Sequence, residues 1–156
     1  MESFWNFIET LSLGFALLPF VLFAKFCDEG EAELGDIALK GSPAAYDNLY
    51  LGLFTNSAEP AEDADLTDLT EPNGSYGYAR IALAKADWTK SGSQFTQVQK
   101  TFNCSTSAWG NVYGYFICTV GSGTAGKLWA VELFSDGPYN VPDGGAVKVT
   151  SKLTFA

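Results

Sequence analysis

Histidine is absent from the 156 residues. That removes the commonest general base and the commonest metal ligand, and with them the usual Ser-His and Cys-His nucleophile pairs. Cysteine is scarce: Cys27, Cys104 and Cys118 form an odd set with no repeated spacing. This is no disulfide framework, and small buried hydrophobes are the better reading. A Cys104–Cys118 bridge stays open if their strands are neighbours. Basic residues are also few, 9 against 18 acids, for a net charge of −9. Residues 1–71 hold 14 acids and 2 bases (−12), and residues 72–156 hold 4 acids and 7 bases (+3). Neither half reads as a nucleic-acid surface. The asymmetry instead points to association, with acids of one copy meeting bases such as Arg80, Lys148 or Lys152 of another.

Long uncharged runs are missing too. The longest near the N-terminus, residues 10–24, has 15 residues, short of the roughly 20 that span a bilayer. Residues 1–9 carry Glu2 and Glu9 but no Lys or Arg, and no Ala-x-Ala site follows. The segment therefore reads neither as a membrane span nor as a secretion signal.

What is present is apolar and aromatic: 47% and 15% of the chain, with 16 glycines. Such a composition suits a packed core of short strands and tight turns. Phe4, Ile8, Leu11, Phe15, Leu18 and Leu22 recur at helical spacing. Beyond Leu13 the segment is apolar all round, which requires cover, and Pro19 ends or kinks the helix near Leu18. We expect a partly helical apolar arm over residues 1–27. Its partner-binding residues would be Phe4, Trp5, Ile8, Leu11, Phe15, Leu18, Leu22 and Phe23. Residues 28–45 read as an acidic connector. Residues 46–156 read as a mainly β domain, an antiparallel β-sandwich of jelly-roll-like type. Its strands are expected at 49–54, 78–84, 95–102, 112–120, 127–134 and 146–155. Asn73-Gly74, Ser91-Gly92, Gly121-Ser122-Gly123 and Asp143-Gly144-Gly145 supply turns.

Motifs with chemical meaning are weak. Residues 121–127 have the spacing of a phosphate-binding loop, but Leu128 follows Lys127 where Ser or Thr should bind magnesium, and a strand follows where a helix is needed. A hairpin turn is the better reading. Glu59, Glu62, Asp63, Asp65, Asp68 and Glu71 crowd one loop without a base. The spacing is not that of an EF-hand, and Asp63, Asp65 and Asp68 remain a weak calcium candidate. No catalytic residue and no cofactor are expected.

Four segments together resemble a known family. Tyr50-Leu51-Gly52-Leu53-Phe54-Thr55 precedes Gly74-Ser75-Tyr76-Gly77-Tyr78-Ala79-Arg80. Trp109-Gly110-Asn111-Val112 then leads to Gly114-Tyr115-Phe116, and Gly126-Lys127-Leu128-Trp129 opens the next strand. The ordered set is similar to small virion proteins of tailed bacteriophages, of tail-fibre-like or head-decoration type, over roughly residues 46–156. The acidic stretch 58–71 replaces the family's Gly-rich loop. The resemblance implies a non-catalytic virion protein whose partners are other virion proteins (major capsid protein or tail subunits) and copies of itself. We expect a capsid decoration or cement protein. The alternatives are a tail-fibre or baseplate component and a membrane-anchored surface protein.

Overall fold

The computed structural model describes residues 25–41 and 46–154. Twelve short strands and one α-helix follow in chain order: β1 (Lys25–Phe26), α1 (Asp28–Lys40), β2 (Asn48–Phe54), β3 (Ile81–Ala84), β4 (Trp88–Ser91), β5 (Gln94–Gln97), β6 (Lys100–Asn103), β7 (Gly110–Val112), β8 (Gly114–Cys118), β9 (Leu128–Leu133), β10 (Tyr139–Val141), β11 (Ala146–Val149) and β12 (Lys152–Thr154). One antiparallel sheet has the order β1-β9-β8-β2-β3. A second layer comprises β12-β5-β4, β11-β6 and β10-β7. Leu51, Leu53, Tyr115 and Ile117 of the sheet meet Phe102, Val112, Val141, Val147, Val149 and Leu153 of the second layer in one core. The result is the antiparallel sandwich architecture expected from the sequence.

The sheet is covered on its other face as well. Phe54, Phe116, Cys118, Leu128 and Val131 pack there against Cys27, Ala64 and Leu66. Covering both faces explains why β2, β8 and β9 read as continuous apolar runs rather than alternating ones. All five residues of β8 are buried.

Three expected strands are divided. Residues 95–102 are split between β5 and β6, and 146–155 between β11 and β12. The pieces still pair as one antiparallel ribbon, β5 with β12 and β6 with β11. The register slips once, because Gln97, Val98 and Gln99 oppose only Thr150 and Ser151. This is a bulge that bends a long ribbon and interrupts its ladder. Residues 112–120 divide at Tyr113, whose N–H bonds Phe54 O and whose carbonyl accepts from Phe134 N–H. β3 begins only at Ile81, not at residue 78, because Tyr78 and Arg80 turn inward for a separate purpose.

Residues 28–40 of the expected acidic connector form α1. Asp28, Glu29 and Glu31 lie in its first turn, and Lys40 in its last, as the helix dipole favours. Gly41 closes it at φ +65, its N–H bonding Asp36 O. Gly30 misled the sequence reading, yet the packing requires it. A Cβ there would sit 2.5 Å from Trp129 O. Trp129 is itself an extra residue: Ile117 pairs with Ala130 and Cys118 with Leu128. The bulge pushes its backbone against the helix.

All three cysteines are free and buried. Cys104 donates to Ser107 O and Cys118 to Val120 O. They occupy different cores, so no bridge joins them.

Candidate functional site

The segment Tyr78-Ala79-Arg80 forms a buried polar knot. A short turn at Gly74–Tyr76, capped by the Asn73 side chain on Ser75 N, and Gly77 at φ +83 swing the chain inward. Arg80, its side chain 2% exposed, donates to Glu71 from Nη2 at 2.6 Å and from Nε at 3.1 Å. Its Nη1 donates to Val120 O at 3.0 Å, and its guanidinium lies 5.1 Å from the Phe116 ring centre. Tyr78 Oη donates to Glu71 Oε2 at 2.5 Å and accepts from Leu53 N at 2.9 Å. Burial first, then the Glu71 carboxylate, push the Tyr78 hydroxyl far up, so it remains a donor. The knot ties the acidic loop to β2 and to the end of β8. Arg80, expected to be available to a neighbouring copy, is therefore spent within its own domain.

A second cluster fixes α1. Glu29 accepts from Lys127 Nζ at 2.6 Å and from Leu128 N at 3.1 Å. Glu33 accepts from Trp129 Nε1 at 2.8 Å and from Tyr46 Oη at 2.5 Å. Lys127 thus binds a carboxylate, and residues 121–127 join antiparallel β8 to β9 as a hairpin loop. The sequence reading missed Glu29 and Glu33. Their four-residue spacing marks one helix face, but nothing in the sequence names β9 as the target. Beside α1, Leu34, Ile37, Leu49, Leu83, Trp88 and Trp129 line an open apolar groove of about 220 Å³. Leu39 near the helix end is 88% exposed.

The acidic loop is built on alternation. Ala64 and Leu66 are buried while Asp63, Asp65 and Asp68 point outward. Asp65 Oδ1 accepts from the N–H and hydroxyl of Thr67, both at 2.6 Å. These bonds hold its carboxyl below the usual range. Asp68 Oδ2 accepts from Asp65 N at 2.9 Å. Two of the three calcium candidates thus serve the loop's own backbone, and Asp63 is exposed. Among the described residues no group of three or more acids or thiols is arranged to hold a metal ion.

The expected arm residues Phe4, Trp5, Ile8, Leu11, Phe15, Leu18, Leu22 and Phe23 lie outside the described residues. The described residues begin at β1. There Lys25 Nζ donates to Pro60 O at 2.9 Å, and the following Cys27 N donates to Trp129 O at 2.8 Å. Among the described residues no helix is long and apolar enough to cross a membrane.

No curated protein matches the chain. A protein-family model described as "Podophage GP4 fiber I protein gp80" matches residues 25–153, from the first residue of β1 to within β12. The matched span contains the Arg80 knot, the α1 clamp and every strand of the sandwich. The chain belongs to this family of phage fibre proteins and is a structural component of the virion, working among other virion proteins.

Proposed function

We propose that the protein is a tail-fibre component, with residues 25–154 as its body and residues 1–24 as the arm that attaches it to a neighbouring virion subunit. The supporting observation is the fibre family's match across the whole described body. That match favours the fibre reading over the capsid decoration or cement role expected from the sequence. The body has two cores of its own, as well as the Arg80 knot and the α1 clamp. Phe4, Trp5, Ile8, Leu11, Phe15, Leu18, Leu22 and Phe23 supply the apolar contacts, at about 25 cal/mol per Å² buried. The protein has no catalytic role in this reading, and Lys127 in its phosphate-loop-like segment is occupied by Glu29.

Two measurements test the reading. Mass spectrometry of separated heads and tails should find the chain with tails, and recovery on tail-less heads would restore the decoration role. A chain lacking residues 1–24 should fold with an almost unchanged melting temperature yet be absent from purified particles. Normal incorporation of that chain would remove the arm as the attachment device.

A further inference from the structure

β10 and β11 are consecutive strands, yet no ladder joins them: β10 pairs with β7, and β11 with β6. Val141 O accepts from Trp109 N–H, and Gly145 O from Cys104 N–H. Peptide groups alternate sides along an antiparallel strand. The N–H and C=O of Asn140 therefore face away from β7, and those of Ala146 and Lys148 away from β6. All three residues line a cleft of about 270 Å³ together with Phe134, Tyr139 and Val147. Hydrogen-bonding groups that the fold leaves without ladder partners thus border a half-open space.

β10 and β11 approach within 8 Å at their nearest Cα pairs, and a peptide strand lying between them there would need about 9.6 Å, two inter-strand spacings. A single polar ring asks for a much shorter length of open edge than a strand does. Tyr139 marks the class of ring. It is 39% exposed, and among the described residues it is the aromatic member of the exposed large hydrophobics. Its hydroxyl donates to Asp136 Oδ1 at 2.5 Å, and its ring packs on Phe134 with centres 5.0 Å apart. Phe134 is in turn backed by Tyr115. The exposed ring is therefore held in one orientation before any ligand arrives, which lowers the cost of binding. A fixed aromatic face suits the C–H face of a pyranose, while peptide donors and acceptors suit its hydroxyls. Among the described residues Lys148 makes no ion pair. Its exposed ammonium adds attraction for a sugar carboxylate.

We propose that the β10–β11 cleft binds a pyranose unit of a surface glycan, with Tyr139 as the stacking platform and Lys148 favouring acidic sugars. The biological source of that glycan rests on the fibre reading, whereas the binding chemistry does not.

The test is amide NMR of the intact chain titrated with glucose, galactose and glucuronate. The amides of Asn140, Ala146 and Lys148 should shift and saturate with Kd on the order of 1 mM, typical of a single sugar ring's contact area. Tyr139→Ala should weaken binding about tenfold, while Tyr139→Phe, which keeps the ring, should retain it. Lys148→Ala should weaken glucuronate but not glucose. If none of the three sugars shifts these amides, or the shifts map elsewhere, the proposal falls. Tighter binding of an extended peptide than of any sugar would also overturn it and assign the cleft to a protein partner. Particle incorporation is not read in this experiment, so its failure leaves the fibre assignment standing. Recovery on heads would conversely leave the binding curves intact.

Discussion

Arg80 shows how one residue can be misassigned when only its neighbours in sequence are known. It stands among few bases in an acidic protein, which makes it look available for association. The acid that claims it, Glu71, lies nine residues earlier across two turns, and only the fold brings them to 2.6 Å. Arg80→Ala would leave Glu71 and Val120 O without their shared donor. Breaking a buried pair from one side costs about 3 kcal/mol, to be read as a lower denaturant midpoint at unchanged slope. Arg80→Lys should recover only part of it, since a point charge cannot reproduce the two-pronged contact. Glu132 carries a pH dependence. Burial lifts its carboxyl above the ordinary value, against the opposing bond from Tyr115 Oη and the attraction of Lys152. As pH rises from the unfolded-state pKa, about 4.3, toward the raised folded one, the unfolded chain gives up its proton first. In that window the folded state binds more protons, so stability falls with rising pH. Glu132→Gln keeps an acceptor for Tyr115 and should flatten that fall while raising the melting temperature at pH 7. A variant that melts lower at pH 7 and keeps the slope would refute this role.

At the level of elements, legibility followed burial. β2, β8 and β9 were readable because each carries an apolar run covered on both faces. The divisions at Gln97–Gln99, Tyr113 and Thr150–Ser151 were not, because a bulge is decided by what the partner strand offers. α1 was hidden for a related reason: Gly30 and Gly35 argue for a connector until the Trp129 backbone is seen 2.5 Å from a hypothetical Cβ. Gly30→Val should therefore lift the helix from β9 while leaving the strands in place. Hydrogen exchange is expected to accelerate across Asp28–Lys40 but not across β8, and Trp fluorescence to shift red as Trp129 loses Glu33 and its cover. Unchanged exchange in the helix would show that it does not rely on this close approach. Of the candidate site, the loop carboxylates were readable in place but not in role, since Asp65 and Asp68 bond within their own turn.

Across the whole molecule, charge divides along the chain, with acids crowding residues 28–71 and most bases following them. Asp28, Glu31, Glu59, Glu62, Asp63, Asp65 and Asp68 are exposed around the start of the body, while Lys90, Lys148 and Lys152 are exposed on the second layer. With Arg80 withdrawn, these lysines remain for steering toward an acidic neighbour. Each exposed pair is worth at most about 1 kcal/mol. The effect therefore belongs to rates: association with the particle should slow as salt rises to about 0.5 M, with a smaller change in the dissociation rate. Indifference to salt would assign the acidic stretch to solvation alone. The β1 junction carries one more consequence, for mechanics. A tensile load borne by residues 1–24 reaches the body at Lys25–Phe26, a two-residue strand at the sheet edge. Behind it come the fully buried Cys27 with its bond to Trp129 O and then the α1 clamp. The opposite neighbour of β9 is β8, paired over Gly114–Cys118. Rupture would begin at the short outer strand and release slack before any pull reached the longer ladders behind it, so the junction acts as a mechanical fuse for the sandwich.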